Sequence, residues 1–96
     1  MIYVKIHKGL RNVVAISDES LIGKTLIDGN LRFVVSEYFY KGVKKTKEEV
    51  REVMKVSTNL NIIGKESIAL ALELQLITHE SIFTIQGIPH AQILFC

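Results

Sequence analysis

The chain is poor in residues that staple or interrupt a fold. Its 96 residues include one cysteine, Cys96, at the very end, and one proline, Pro89. A lone cysteine has no partner for an intramolecular disulfide, so the default setting is a reducing, cytoplasmic one. No apolar run approaches the roughly 18 residues that a membrane helix needs. The opening MIYVKIHKGL alternates apolar and polar residues and lacks the apolar stretch of a signal peptide. Neither secretion nor a membrane partner is expected. Charge of one sign is missing too: 12 basic and 10 acidic residues leave +2 with neutral histidines. That is too mild to announce nucleic acid by itself, but it leaves room for a local basic patch.

At 48% hydrophobic and 23% charged, the chain has the composition of a folded domain. Its length suits a single domain, 1–96, with no room for a second core. The apolar share is generous for this size. Some of that surface is therefore expected to be buried against a protein partner or a second copy.

Strands open the chain. In MIYVKIHK, Ile2, Val4 and Ile6 face one way and Tyr3, Lys5 and His7 the other. Gly9 breaks the run, and NVVAIS reads as the second strand of a hairpin. SDESLIGK reads as a short helical turn that Ser17 or Asp18 can cap. Gly29-Asn30 makes a turn into LRFVVSE, a third strand. Glu37 to Lys45 then reads as the longest connection, rich in aromatic and basic residues. In TKEEVREVMKVS, Thr46 and Glu49 have capping-box spacing, and Val50, Val53 and Met54 give a helical apolar face. NIIGKESIALALELQLI alternates like a strand, but its length and its Ala, Leu, Glu and Gln content predict a second, largely buried helix. IFTIQ and AQILFC read as two closing strands, with Gly87 and Pro89 reversing the chain between them. The expected fold is α+β: a small, mostly antiparallel sheet of about five strands packed against two helices, in the order β-β-β-α-α-β-β.

The motifs that suggest chemistry fail on spacing. SDESLIGKT ends like a phosphate-binding loop, but that loop needs a glycine where Asp18 stands, and a carboxylate there would repel phosphate. IIGKES fails in the same way, with Asn59 in place of the first glycine. His7, His79, His90 and Cys96 show no metal-ligand spacing, so no metal and no cofactor is expected. A Cys96–His90 nucleophilic pair would rest on a terminal residue that is easily frayed. No catalytic residue is assigned. His90 with Glu37 or Asn61 is the set that would have to converge in one pocket for a small enzyme.

The distinctive surface is SEYFYKGVKKTK. Tyr38 and Tyr40, with Lys41, Lys44 and Lys45, interleave aromatic rings and cations, the combination that stacks bases and neutralises phosphates. Lys5, His7 and Arg32 would extend that patch if the sheet brings them together. The alternative is that Phe39 and a tyrosine plug the core while the lysines solubilise the loop.

As a set, MIYVKIHK, LIGKT before the Gly-Asn turn, LRFVVSEYFY with Gly42, Asn61 to Glu66, and IQGIPHAQILF resemble the archaeal family catalogued as domain of unknown function 424. The resemblance spans essentially the whole chain. It matches Ser36, Glu37 and Tyr40 to one family element, Asn61 and Gly64 to a second, and Gly87, Pro89, His90 and Ala91 to a third. It implies a small α+β protein of the archaeal cytoplasm with no characterised activity, for which RNA binding or a link to translation has only been predicted. Gln75 stands where the family pattern has a small residue at the end of the last helix, and KKTK is unusually basic. The leading expectation is a non-catalytic RNA- or ribonucleoprotein-associated binding module. A protein-interaction subunit or homodimer is the first alternative and an enzyme built around His90 the second.

Overall fold

A six-stranded sheet, covered on both faces, carries the molecule. The computed structural model describes residues 1–95, so Cys96, and with it the Cys96–His90 pairing set aside above, lies outside the described residues. The elements are β1 (Ile2–His7), β2 (Val13–Asp18), β3 (Thr25–Asp28), β4 (Leu31–Val34), α1 (Glu37–Tyr40), β5 (Val43–Lys45), α2 (Lys47–Val56), β6 (Asn59–Ile63), α3 (Lys65–Glu73), β7 (Phe83–Ile85) and β8 (Ile88–Leu94). The main sheet runs β5-β1-β2-β6-β8-β7, and β3 pairs with β4 in a separate ribbon. All neighbours are antiparallel except β2 and β6, which run parallel. No helix among the described residues is long and apolar enough to cross a membrane.

The α+β class agrees with the sequence reading; the details differ. Among the described residues the sheet is mixed and has six strands, a two-stranded ribbon is added, and there are three α-helices. Period-two geometry divides the core into two layers. Ile2, Val4, Val14, Ile16, Leu60, Ile62, Ala91 and Ile93 face α2 and α3, where they pack on Val50, Met54, Ile68 and Leu70. The opposite face buries Ala15 and Ile63 under Leu26, Val35 and Tyr40, from the ribbon and α1. Each Val, Leu, Ile or Met among these contributes about 1.5–3 kcal/mol when removed from water.

The α2 helix begins as its sequence specifies. Thr46 Oγ1 accepts from Glu49 N at 3.2 Å and Glu49 Oε1 accepts from Thr46 N at 2.9 Å, a complete capping box. The second expected helix is shorter than its apolar pattern, because Asn59–Ile63 is a strand and only Lys65–Glu73 is helical. Gly64, at φ +116°, separates the two. The helical turn in SDESLIGK is a 3-10 turn at Glu19–Leu21, with no side-chain cap from Asp18. Asp18 instead caps α3 from across the sheet. Its Oδ1 accepts from Ser67 N at 2.8 Å and Ser67 Oγ at 2.7 Å, and its Oδ2 accepts from Glu66 N at 3.0 Å. A buried carboxylate on the first helical amides satisfies donors that would otherwise be orphaned and complements the helix dipole.

The last reversal also shifts. The β7–β8 turn is Gln86-Gly87, at φ 53° and 76°, the positive pair a tight hairpin needs. Pro89 lies inside β8, opposite Thr84. Its carbonyl accepts from Gly64 N at 3.0 Å, so its missing N–H falls just past the end of β6, where no ladder partner is lost. Gln86 ties this hairpin to the ribbon: its Oε1 accepts from Ile27 N at 2.8 Å, and its own N donates to Asp28 Oδ2 at 2.9 Å. The segment expected to be one long connection, Glu37 to Lys45, contains α1 and β5.

Candidate functional site

α1 is a single turn laid across β1 and β2. Ser36 caps it by accepting from Phe39 N at 3.0 Å. The polar face of β1 then reaches up to it. His7 Nε2 donates to Phe39 O at 2.7 Å while its ring stacks on Phe39, with centroids 4.5 Å apart. Lys5 Nζ donates to Tyr38 O and lies 4.7 Å from the Tyr38 ring centroid, within cation–π range. Tyr38 itself is 80% exposed. Lys5, His7 and Tyr38, read from separate parts of the sequence, therefore form one ridge.

The other predicted nucleic-acid residues divide. Lys44 pairs with Glu19 at 3.0 Å and Lys41 with Glu37 at 3.8 Å. The Glu19 hydrogen bond and charge hold the Lys44 ammonium above its usual range. Lys45 lies on β5 at the sheet edge, opposite Ile2 of β1. Arg32 is exposed on the β3–β4 ribbon, paired with Ile27 rather than with β1. Tyr40 is only 2% exposed, so its ring fills the core and is closed to a base.

Tyr40 instead joins two of the residues considered for catalysis. Its hydroxyl donates to Asn61 Oδ1 at 2.5 Å, and His90 Nε2 lies 3.1 Å from the same oxygen. A carbonyl oxygen only accepts, so the imidazole carries its proton on Nε2. Nδ1 is then a buried lone pair with no partner among the described residues. His90 is 4% exposed and sits between Phe33 and Phe83, at 5.2 and 4.9 Å between centroids. Burial pushes its imidazole below the usual histidine range and pushes the Tyr40 hydroxyl well above that of a free tyrosine. Glu37 is not part of this group: it is exposed and faces Lys41. A general base has to reach the proton it removes, whereas this imidazole is turned inward to orient Asn61. No cluster of three potential metal ligands occurs among the described residues.

Beside this chain of hydrogen bonds lies a groove of about 500 Å³ lined by Val13, Phe39, Asn59, Leu60, Asn61, Gln92, Ile93 and Leu94. Asn61 and Gln92 are opposite each other across β6 and β8. Sequence reading found Asn61 but neither Asn59 nor Gln92. Their signal is the alternation in NLNII and HAQIL, which puts amides on one face and Leu60, Ile62, Ala91 and Ile93 on the other.

Comparisons with known proteins carry this geometry no further toward an activity. The structure is similar to the crystal structure of an uncharacterized conserved protein from Methanopyrus kandleri, with a TM-score of 0.79 and 25% identity over 99% of this chain and 93% of that one. No curated protein matches. The family model described as protein of unknown function (DUF424) matches residues 6–95. The chain therefore belongs to the DUF424 family.

Proposed function

We propose that this protein is a non-catalytic RNA- or ribonucleoprotein-associated binding module of the cytoplasm, binding single-stranded RNA along the ridge formed by β1 and α1. The observation that carries this reading is Tyr38, an aromatic ring held 80% exposed with the Lys5 ammonium against it. An exposed ring backed by cations offers a base a stacking platform and a phosphate a counter-charge. Lys41 and Lys44 lie in surface ion pairs, which are worth about 0–1 kcal/mol and yield readily to phosphate.

The test is a titration of labelled single-stranded RNA at low and rising salt. Tyr38→Ala is expected to cost about 1–3 kcal/mol of binding, and Lys5→Ala to weaken binding and flatten its salt dependence. Lys44→Ala with Lys45→Ala is expected to weaken it less, because both lie on the edge strand β5 while Lys5 is the cation held against the Tyr38 ring. Binding no tighter than that of a neutral control protein at low salt would end this reading.

A second reading rests on a different surface. Leu10, Val56, Leu94 and Phe95 are exposed and line adjoining grooves that share Thr58 and Phe95. They fit a protein partner or a second copy. Sedimentation of a clean monomer at high concentration, with nothing recovered in native pull-downs, counts against it.

A further inference from the structure

Asn61 is held by its oxygen, and that leaves its nitrogen to do something else. The Tyr40 hydroxyl and the His90 imidazole N–H occupy both acceptor positions of Oδ1. Both come from buried side chains, so the amide plane and its orientation are fixed from behind. Asn61 lines the groove, and its Nδ2 has no hydrogen-bond partner among the described residues. The groove thus has a pre-aimed N–H donor at its floor, in a position that cannot rotate to present an acceptor without breaking two hydrogen bonds. Gln92 beside it and Asn59 along the same strand add carboxamides that are also uncommitted, and no charged side chain lines the space. Phe39 forms one wall, already stacked by His7 on a face.

A neutral, planar ring bearing a carbonyl fits these requirements. Lys5 shares the cross-strand row of Asn61, because Lys5 pairs with Ala15, Ala15 with Asn61 and Asn61 with Gln92. Two strand spacings separate Lys5 from Asn61, about 10 Å. Tyr38 directly precedes the Phe39 wall. We infer that the Asn59–Asn61–Gln92 groove is a base-reading pocket for a keto base of single-stranded RNA, with Asn61 Nδ2 donating to the exocyclic oxygen of uracil or guanine. This rests on the RNA-binding reading above and adds a base preference to it. An amino base presents a donor at the same edge position, and two donors facing each other cannot bond.

Uracil and cytosine share a ring size and differ at C4, a carbonyl in one and an amino group in the other, so oligouridine and oligocytidine of equal length are the probes. At neutral pH the native protein is expected to bind oligouridine about tenfold more tightly, the value of one good base contact. Asn61→Asp is the decisive variant. A carboxylate still accepts from Tyr40 and His90, but it turns the groove-facing donor into an acceptor. Its added charge lowers affinity for both oligomers, so the readout is their ratio, which is expected to collapse or invert toward oligocytidine. Gln92→Ala, at an exposed position, is expected to narrow the ratio without touching the hydrogen bonds behind Asn61. Circular dichroism checks the fold of each variant; if Asn61→Asp does not fold, Gln92→Ala carries the test. Equal binding of the two oligomers, or a ratio unchanged in the folded variants, overturns the base-reading pocket and leaves the ridge intact. Binding of neither oligomer at low salt overturns the RNA reading and the pocket together.

Discussion

The carboxylate of Asp18 fills the space that a side chain on Gly64 would need. A Cβ at Gly64 would stand 2.2 Å from Asp18 Cγ and 2.5 Å from each carboxylate oxygen. The two segments that mimic phosphate loops, SDESLIGKT and IIGKES, thus complete each other. The first supplies an anion and the second supplies the helix N–H groups that receive it. The electrostatics that make helix starts bind phosphate are here satisfied within the chain.

Gly64→Ala is expected to expel that carboxylate and also to place an L-residue at φ +116°. The lost cap and the backbone strain together cost about 3 kcal/mol. Urea denaturation measures this directly. Asp18→Asn keeps an acceptor for Ser67 but turns an amide donor toward Glu66 N and loses the charge at the helix start, and is expected to cost about 2 kcal/mol. If Gly64→Ala proves no more harmful than Asp18→Asn, the close approach is not what makes glycine necessary there.

Tyr40→Phe removes one of the two donors to Asn61 Oδ1 and leaves the ring that fills the core. A single hydrogen bond is lost while the oxygen keeps His90, so the expected cost is about 1 kcal/mol. For a domain of this size that lowers Tm by about 4–8 °C. A Tm unchanged to within a degree would mean that the hydroxyl contributes no net stability through Asn61.

How much of this was legible in the sequence depends on the range of each signal. The β1–β2 hairpin and α2 are written locally, in an alternation and a capping box, and both appear as read. Asn61 to Ile63 of β6 read as helix because the segment runs on into Ala, Leu, Glu and Gln, while Ile62 and Ile63, buried in different core layers, give no clean strand alternation. The start of α3 has no cap from its own Gly64; its cap is Asp18, remote in sequence and invisible to a local window. β3 and β5 span four and three residues, too few for periodicity to register. At the site, His90 and Asn61 were visible as candidates and do meet. The sequence offers Tyr38 and Tyr40 alike as an exposed platform or a core plug, yet one helical turn sends Tyr38 outward and Tyr40 inward, and only the packing shows which is which.

His90 makes stability depend on pH with a definite sign. Burial holds its folded-state pKa below the ordinary value, so the unfolded chain binds a proton that the folded chain refuses. Unfolding then takes up a proton in acid. The contribution is fully present above about pH 6.5, the unfolded value, and is lost as the pH falls from there through the folded value. Asn61 Oδ1 already accepts from Nε2, and Nδ1 has no acceptor among the described residues to stabilise a second proton. Tm is therefore expected to decline as the pH is lowered from about 7.5 to about 5. His90→Gln, which can still donate to Asn61, should show a shallower decline. The same decline in both proteins would remove His90 as its source.

Gln75 offers the converse, a substitution that adds stability. It follows α3 at φ 59°, donates to Leu72 O at 3.0 Å, and is followed by Leu76, which donates to Ala71 O at 3.0 Å. Those two bonds form the Schellman ending, whose left-handed position favours glycine because a Cβ there crowds the backbone. The family resemblance implies a small residue where Gln75 stands, and the geometry gives the reason that a small residue suits this place. Gln75 is exposed and its side chain makes no hydrogen bond among the described residues, so little is lost by removing it. Left-handed strain of about 1–2 kcal/mol is relieved, against about 0.5–1 kcal/mol of added freedom in the unfolded chain. Gln75→Gly should therefore stabilise the protein by about 0.5–1 kcal/mol, read as a raised urea midpoint at unchanged slope. A lowered midpoint would show that the glutamine side chain holds the helix end through packing that outweighs its strained backbone.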